Sequence, residues 1–221
     1  MSERVRVKIC GITRREDALA AERFGAEYLG VVVSKGFGRS VQLATAARLL
    51  EGLAPLKVAV MVNEAPHRAG ELARALGAEV IQLHGDEPPD VLSELRAMGD
   101  WKLWKGVRVR RPADLERIVE GYQALVDAIL VEGWKRGAIG GGGAALQLDP
   151  DRVRGMIPAG LDLVLAGGLN PSNVAEAIAR FEPDVVDVSS GVERSPGKKD
   201  LKLMSSFIES AHAASGRAAH G

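Results

Sequence analysis

Along the chain, short runs of branched apolar residues alternate with longer stretches whose apolar positions recur every three or four residues. Runs of the first kind read as strands buried in a parallel sheet, and stretches of the second kind as amphipathic helices packed on it. The pattern predicts strands over 4–10, 27–33, 57–62, 79–84, 102–107, 128–132, 162–166 and 184–188. Helices are predicted over 15–24, 44–51, 66–76, 88–98, 112–120, 150–156, 171–180 and 201–213. Proline opens several of these helices, at the first turn where its missing N–H is not needed. Gly25 and Gly77 follow the first and third, as helix stops do. Eight βα units in 221 residues match a single (β/α)8 TIM barrel, an α/β fold. A doubly wound open sheet is the competing architecture, but it needs fewer strands at this length. One domain is expected over 1–212. Residues 213–221 lack apolar periodicity and read as a frayed tail.

Composition narrows the function classes. Hydrophobic residues make up 46% and charged residues 26%, and 29 basic side chains balance 29 acidic ones. No global field therefore points to nucleic acid or an anionic membrane. No stretch has the length and apolarity of a membrane span, so a cytoplasmic protein is expected, acting as a monomer or homodimer. The single cysteine excludes an intramolecular disulfide, and the four histidines are scattered, so no metal is expected.

Candidate chemistry is sorted by its position on the strands. In a barrel of this kind active sites form at the C-terminal strand ends and in the loops that follow. Cys10, His84 and Glu132 fall on that rim, whereas Asp127 and Asp184 fall at strand beginnings, on the face that serves stability. In the first strand Arg6, Lys8 and Cys10 alternate with Val5, Val7 and Ile9, so the thiol and the Lys8 ammonium share one face. Cys10 is then either a buried structural cysteine or a thiol whose ionisation Lys8 promotes. Asp187, between Val186 and Val188, should point into the barrel, as a ribose-hydroxyl ligand or as the partner of Lys8. His84 is a hydrogen-bonded structural histidine or a catalyst. Gly167-Gly168 and Ser190-Gly191 lie in the turns after strands seven and eight, where backbone N–H groups commonly hold a phosphate in this fold. The tract 140–143, four glycines after strand six, is a flexible cover for a ligand or a plain connector.

Taken together, Lys8-Ile9-Cys10-Gly11-Ile12-Thr13, Gln82-Leu83-His84-Gly85, Ala166-Gly167-Gly168-Leu169-Asn170-Pro171 and Asp187-Val188-Ser189-Ser190-Gly191-Val192-Glu193 resemble phosphoribosylanthranilate isomerases of tryptophan biosynthesis. Pro196-Gly197-Lys198-Lys199-Asp200 fits the family's usual ending. The resemblance implies an Amadori rearrangement of N-(5-phosphoribosyl)anthranilate, a small phosphorylated substrate, without any cofactor. It implies Cys10 as general base and Glu132, where the family normally has Asp, as general acid. Arg39 takes the place of the arginine that holds the anthranilate carboxylate. Lys8, His84 and Asp187 would contact substrate, and Gly167, Gly168, Ser190 and Gly191 would hold its phosphate. Trp134, two residues after Glu132, would stack on the aromatic ring or pack the rim. The two roles require a carboxyl whose pKa is raised by partial burial and a thiol whose pKa is lowered by Lys8. A silent or drifted sugar-phosphate-binding barrel is the alternative.

Overall fold

The computed structural model describes residues 4–133 and 148–217. Its elements run β1 Arg6–Ile9, α1 Arg15–Phe24, β2 Tyr28–Val32, α2 Leu43–Leu50, β3 Leu56–Met61, α3 Pro66–Leu76, β4 Val80–Leu83, α4 Pro89–Met98, β5 Lys102–Val109, α5 Pro112–Tyr122, β6 Ala128–Gly133, α6 Pro150–Met156, β7 Asp162–Ala166, α7 Val174–Phe181 and β8 Val185–Val188. A 3₁₀ turn Ser190–Val192, a hairpin of β9 Glu193–Ser195 and β10 Lys198–Lys199, and α8 Leu201–Arg217 complete it. Strands β1 to β8 pair in chain order, all parallel, and β8 returns to β1, closing a TIM barrel. All eight predicted strands are present.

Alternation along the strands divides the core in two. Cys10, Tyr28, Val58, Val80, Trp104, Leu130 and Val164 fill the barrel lumen, while Val5, Val7 and Ile9 face the shell beneath the helices. The lumen floor is plugged by an edge-on pair, Tyr28 against Trp104, with ring centroids 5.0 Å apart.

A fourfold regularity lies at the N-terminal end of the strands. The carboxylates of Glu27, Glu79, Asp127 and Asp184, each just ahead of an even-numbered strand, accept the backbone N–H of Val7, Lys57, Leu103 and Leu163. The backbone N–H of the same four acidic residues donates back to the carbonyls of those four partners. Each odd strand is thus latched twice to the strand that follows. This settles Asp127 and Asp184 as structural, as their position suggested. It also reveals a repeat of two βα units, longer than plain βα alternation.

Two helix ends and one added hairpin differ from the sequence reading for identifiable reasons. Helix α7 starts at Val174 instead of residue 171, because Asn170 and Asn173 bond to nearby backbone: Asn170 N–H donates to Asn173 Oδ1 at 2.8 Å, and Ser172 N–H to Asn170 Oδ1 at 2.9 Å. Helix α8 continues to Arg217, past the expected end at 213, because Ala214 packs on the core and Ser215 Oγ accepts the N–H of Val5. The hairpin of β9 and β10 turns at Pro196-Gly197, with Gly197 at φ +75°, the type of turn that Pro-Gly favours.

A buried ion pair fixes the loop after β4. Lys105 Nζ lies 2.7 Å from Glu87 Oε2 and donates to the Gly85 carbonyl at 2.6 Å. Glu87 Oε1 accepts the N–H of Asn63 and of Gly85. Both charged side chains are buried, so removing one strands the other. Lys105→Met is expected to lower unfolding free energy by about 3–5 kcal/mol, as read by denaturant titration.

Candidate active site

The first strand delivers Lys8 and Cys10 to the lumen, one above the other. Gly30 on β2 makes room for both: a Cβ there would sit 3.0 Å from Cys10 Sγ and 3.2 Å from Lys8 Nζ. Lys8 Nζ is fully buried and bonds Asp187 Oδ1 at 2.9 Å. Asp187 is therefore the partner of Lys8, and it also borders the central cavity. Lys8 itself does not line that cavity; its ammonium is spent on Asp187 beneath the thiol. Burial alone would push Lys8 down, but its partners, Asp187 above all, outweigh it and hold the ammonium charged.

The thiol behaves differently from expectation. Burial pushes Cys10 above the ordinary thiol range, and the pull of Lys8 and Lys199 the other way does not compensate, partly because Asp187 opposes it. Desolvation beats the neighbouring cation, so the resting form is the thiol.

Glu132, at the end of β6, also departs from expectation. Burial acts to raise its pKa, yet hydrogen bonds and charge from His84 and Arg108 together bring it below the ordinary carboxylate range. His84 Nε2 lies 3.4 Å and Arg108 Nε 3.2 Å from Glu132 Oε2. The resting form is the carboxylate, not the acid. Its Cγ packs on Gly167, whose φ of +98° and missing side chain admit it.

His84 is held on both ring nitrogens. Nδ1 lies 3.1 Å from Gln82 Nε2, and Nε2 lies 3.4 Å from Glu132 Oε2. Gly106 on β5 clears the space: a Cβ there would come 2.6 Å from Nδ1.

Arg39 lies across Gly11 at the β1 end, but its fork is closed on Glu193. Nε donates to Oε1 at 2.8 Å and Nη2 to Oε2 at 2.6 Å. Lys199 Nζ completes the knot, bonding Glu193 Oε1 at 3.0 Å, the Cys10 carbonyl at 2.6 Å and the Ser189 carbonyl at 3.0 Å. In the sequence Glu193 and Lys199 are visible only as parts of motifs, and nothing there marks Arg108. The Pro-Gly turn that brings Lys199 back against β1 was the available signal for the first two.

One cavity of about 310 Å³ opens at the C-terminal mouth of the barrel. Cys10, Glu132, His84, Arg39 and Asp187 line it, and so do Gly167, Gly168, Ser190 and Gly191. The turns after β7 and β8 meet closely: a side chain at Gly191 would collide with the Leu169 carbonyl. Trp134 and the glycine tract 140–143 lie outside the described residues. Among the described residues no group of three or more His, Cys, Asp or Glu side chains could hold a metal, and no helix is long and apolar enough to cross a membrane.

A closed parallel barrel with a thiol and a carboxylate on one mouth defines a TIM-barrel enzyme of the acid–base type. Its family is specific. A family model for N-(5'-phosphoribosyl)anthranilate (PRA) isomerase matches residues 7–210, and the chain belongs to that family. N-(5'-phosphoribosyl)anthranilate isomerase of Myxococcus xanthus is 40% identical over 211 residues, spanning 94% of this chain and 96% of the relative. The crystal structure of the Thermotoga maritima phosphoribosyl anthranilate isomerase superposes with a TM-score of 0.84 at 36% identity, covering 95% of this chain and 99% of that one. A structure of such an enzyme in complex with reduced 1-(o-carboxyphenylamino)-1-deoxyribulose 5-phosphate superposes with a TM-score of 0.78 at 36% identity, covering 95% and 99% of the two chains.

Proposed function

We propose that this barrel catalyses the Amadori rearrangement of N-(5-phosphoribosyl)anthranilate to 1-(2-carboxyphenylamino)-1-deoxyribulose 5-phosphate, a step of tryptophan biosynthesis, with Glu132 as acid and Cys10 as base. The observation that carries the reading is the shared cavity: both groups border the same 310 Å³ space as the two glycine turns. That volume falls within the range of small-molecule sites. The phosphate sits on the main-chain amides of Gly168 and Gly191 and the Ser190 hydroxyl. Family membership favours an active isomerase over a silent binding barrel.

The chemistry follows from what each group can hold. Protonated Glu132 delivers its proton to the furanose oxygen, and the ring opens to a Schiff base. The cationic imine acidifies the hydrogen on C2′, which the Cys10 thiolate removes to leave an enolamine. Tautomerisation gives the ketone. Asp187 meets the pentose hydroxyls while Lys8 neutralises it from below. Each proton transfer to a positioned group is typically worth about 100- to 10,000-fold. Purified protein should consume fluorescent N-(5-phosphoribosyl)anthranilate without added cofactor; binding of the reduced product analogue with no turnover would favour the silent barrel.

Gly191→Ala tests the phosphate cradle. The new methyl group forces the β8 turn off the Leu169 carbonyl, so KM should rise about 10- to 100-fold, the scale of one or two charge-assisted hydrogen bonds. Steady-state kinetics at saturating and limiting substrate would separate this from a fall in kcat.

A further inference from the structure

One buried ammonium reaches three parts of the site without bordering its cavity. The Lys199 side chain is fully buried and is absent from the cavity wall. An ammonium has three N–H donors, and here each finds an acceptor on a different segment. These are the Cys10 carbonyl at 2.6 Å, the Ser189 carbonyl at 3.0 Å and Glu193 Oε1 at 3.0 Å. A neutral amine could donate to only two of them, so the arrangement requires the charged form.

Each acceptor governs a different task. Cys10 ends the strand that carries the base. Ser189 opens the turn whose Ser190 and Gly191 line the phosphate end of the cavity. Glu193 fixes the plane of Arg39 through Nε and Nη2, leaving Nη1 without a partner among the described residues and available to a substrate carboxylate. Lys199 is itself well seated. Thr13 Oγ1 donates to the Gly197 carbonyl in the hairpin turn, and Lys199 N–H donates to buried Asp17 Oδ2 at 3.2 Å. With its main chain already held, the side chain gives up less freedom in reaching its three acceptors.

We propose that Lys199 is a positioning residue for the isomerisation, whose one ammonium ties together the base strand, the phosphate turn and the carboxylate that orients Arg39, and gives the Cys10 thiolate a second cation besides Lys8. Asp187 largely neutralises Lys8, so the charge of Lys199 matters at the sulfur: it pulls the thiol down against burial. The charged and titratable groups around Cys10 are Lys8 from β1, Asp187 from β8, Lys199 from β10 and Arg39 from the loop after β2.

This inference rests on the reading of the site as a PRA isomerase, but its main test needs no substrate. Cys10 is the only cysteine, so the pH dependence of alkylation by iodoacetamide reports its ionisation directly. Lys199→Gln should move that titration up by about one pH unit. Glu193→Gln, which leaves the charge on Lys199 less compensated, should move it down by about as much. With N-(5-phosphoribosyl)anthranilate, Lys199→Gln should lower kcat about 10- to 100-fold and raise KM about 10-fold, because the base strand and the phosphate turn are released together. A merely structural lysine would lower stability without moving the thiol, as Lys105→Met should. A folded Lys199→Gln that titrates like the wild type, or keeps its kcat and KM, overturns the proposal. If Lys199→Gln does not fold, the near-isosteric Glu193→Gln decides: a lowered titration supports the proposal and an unmoved one overturns it. Absence of turnover in the wild type would instead overturn the isomerase reading and leave the thiol result standing.

Discussion

Cys10→Ser should lower kcat about 100- to 10,000-fold while leaving KM near its wild-type value. The hydroxyl is close in size to the thiol, so the packing against Gly30 and the Lys8–Asp187 pair beneath it survive. What is lost is the accessible anion: a serine alkoxide at this buried position is far beyond reach. The residual activity should carry a signature. With the base gone, turnover follows the protonated fraction of Glu132, which falls tenfold per pH unit above that group's pKa. Residual kcat/KM should therefore decline as pH rises. A variant keeping more than a tenth of wild-type turnover would remove Cys10 as base.

Glu132→Gln should cost a comparable factor, with the opposite slope. The amide still packs on Gly167 and still accepts from His84, but it has no proton to give at the furanose oxygen. Activity then follows the thiolate of Cys10, which grows tenfold per pH unit below the thiol's raised pKa, so residual kcat/KM should climb with pH. The wild type combines the two trends. With the carboxyl pushed down and the thiol pushed up, the productive form, acid protonated and base ionised, is a minor species whose population is flat between the two apparent values. Its kcat/KM should show a broad plateau that falls on both sides. Parallel slopes in the two variants would contradict this assignment.

The barrel was legible because each strand is buried on both faces and each helix shows an apolar stripe, patterns that survive in sequence. The rim location of Cys10, His84 and Glu132 followed from strand ends alone, and so did the discounting of Asp127 and Asp184. The protonation states were not legible. They depend on distances between residues far apart in the chain: Glu132 reads as a partly buried carboxyl at a strand end until His84 and Arg108 are seen within 3.4 Å of it. Cys10 reads as lowered by Lys8 until the depth of its burial is known. Arg39 matched a motif, but its closure on Glu193, 154 residues away, is a property of the folded chain. The four acidic latches stood in plain view, each directly before an apolar run. Their common role needed the register of neighbouring strands to be recognised.

Those latches divide the ring into four two-strand quarters, and the chemistry respects none of the divisions. The base belongs to the first quarter, His84 to the second, the acid and Arg108 to the third, and the phosphate turns to the fourth. No half of this molecule contains a working set of groups. Turnover is therefore a direct reporter of ring closure: a refolding chain gains activity only when its last seam is made, however early the individual quarters take shape.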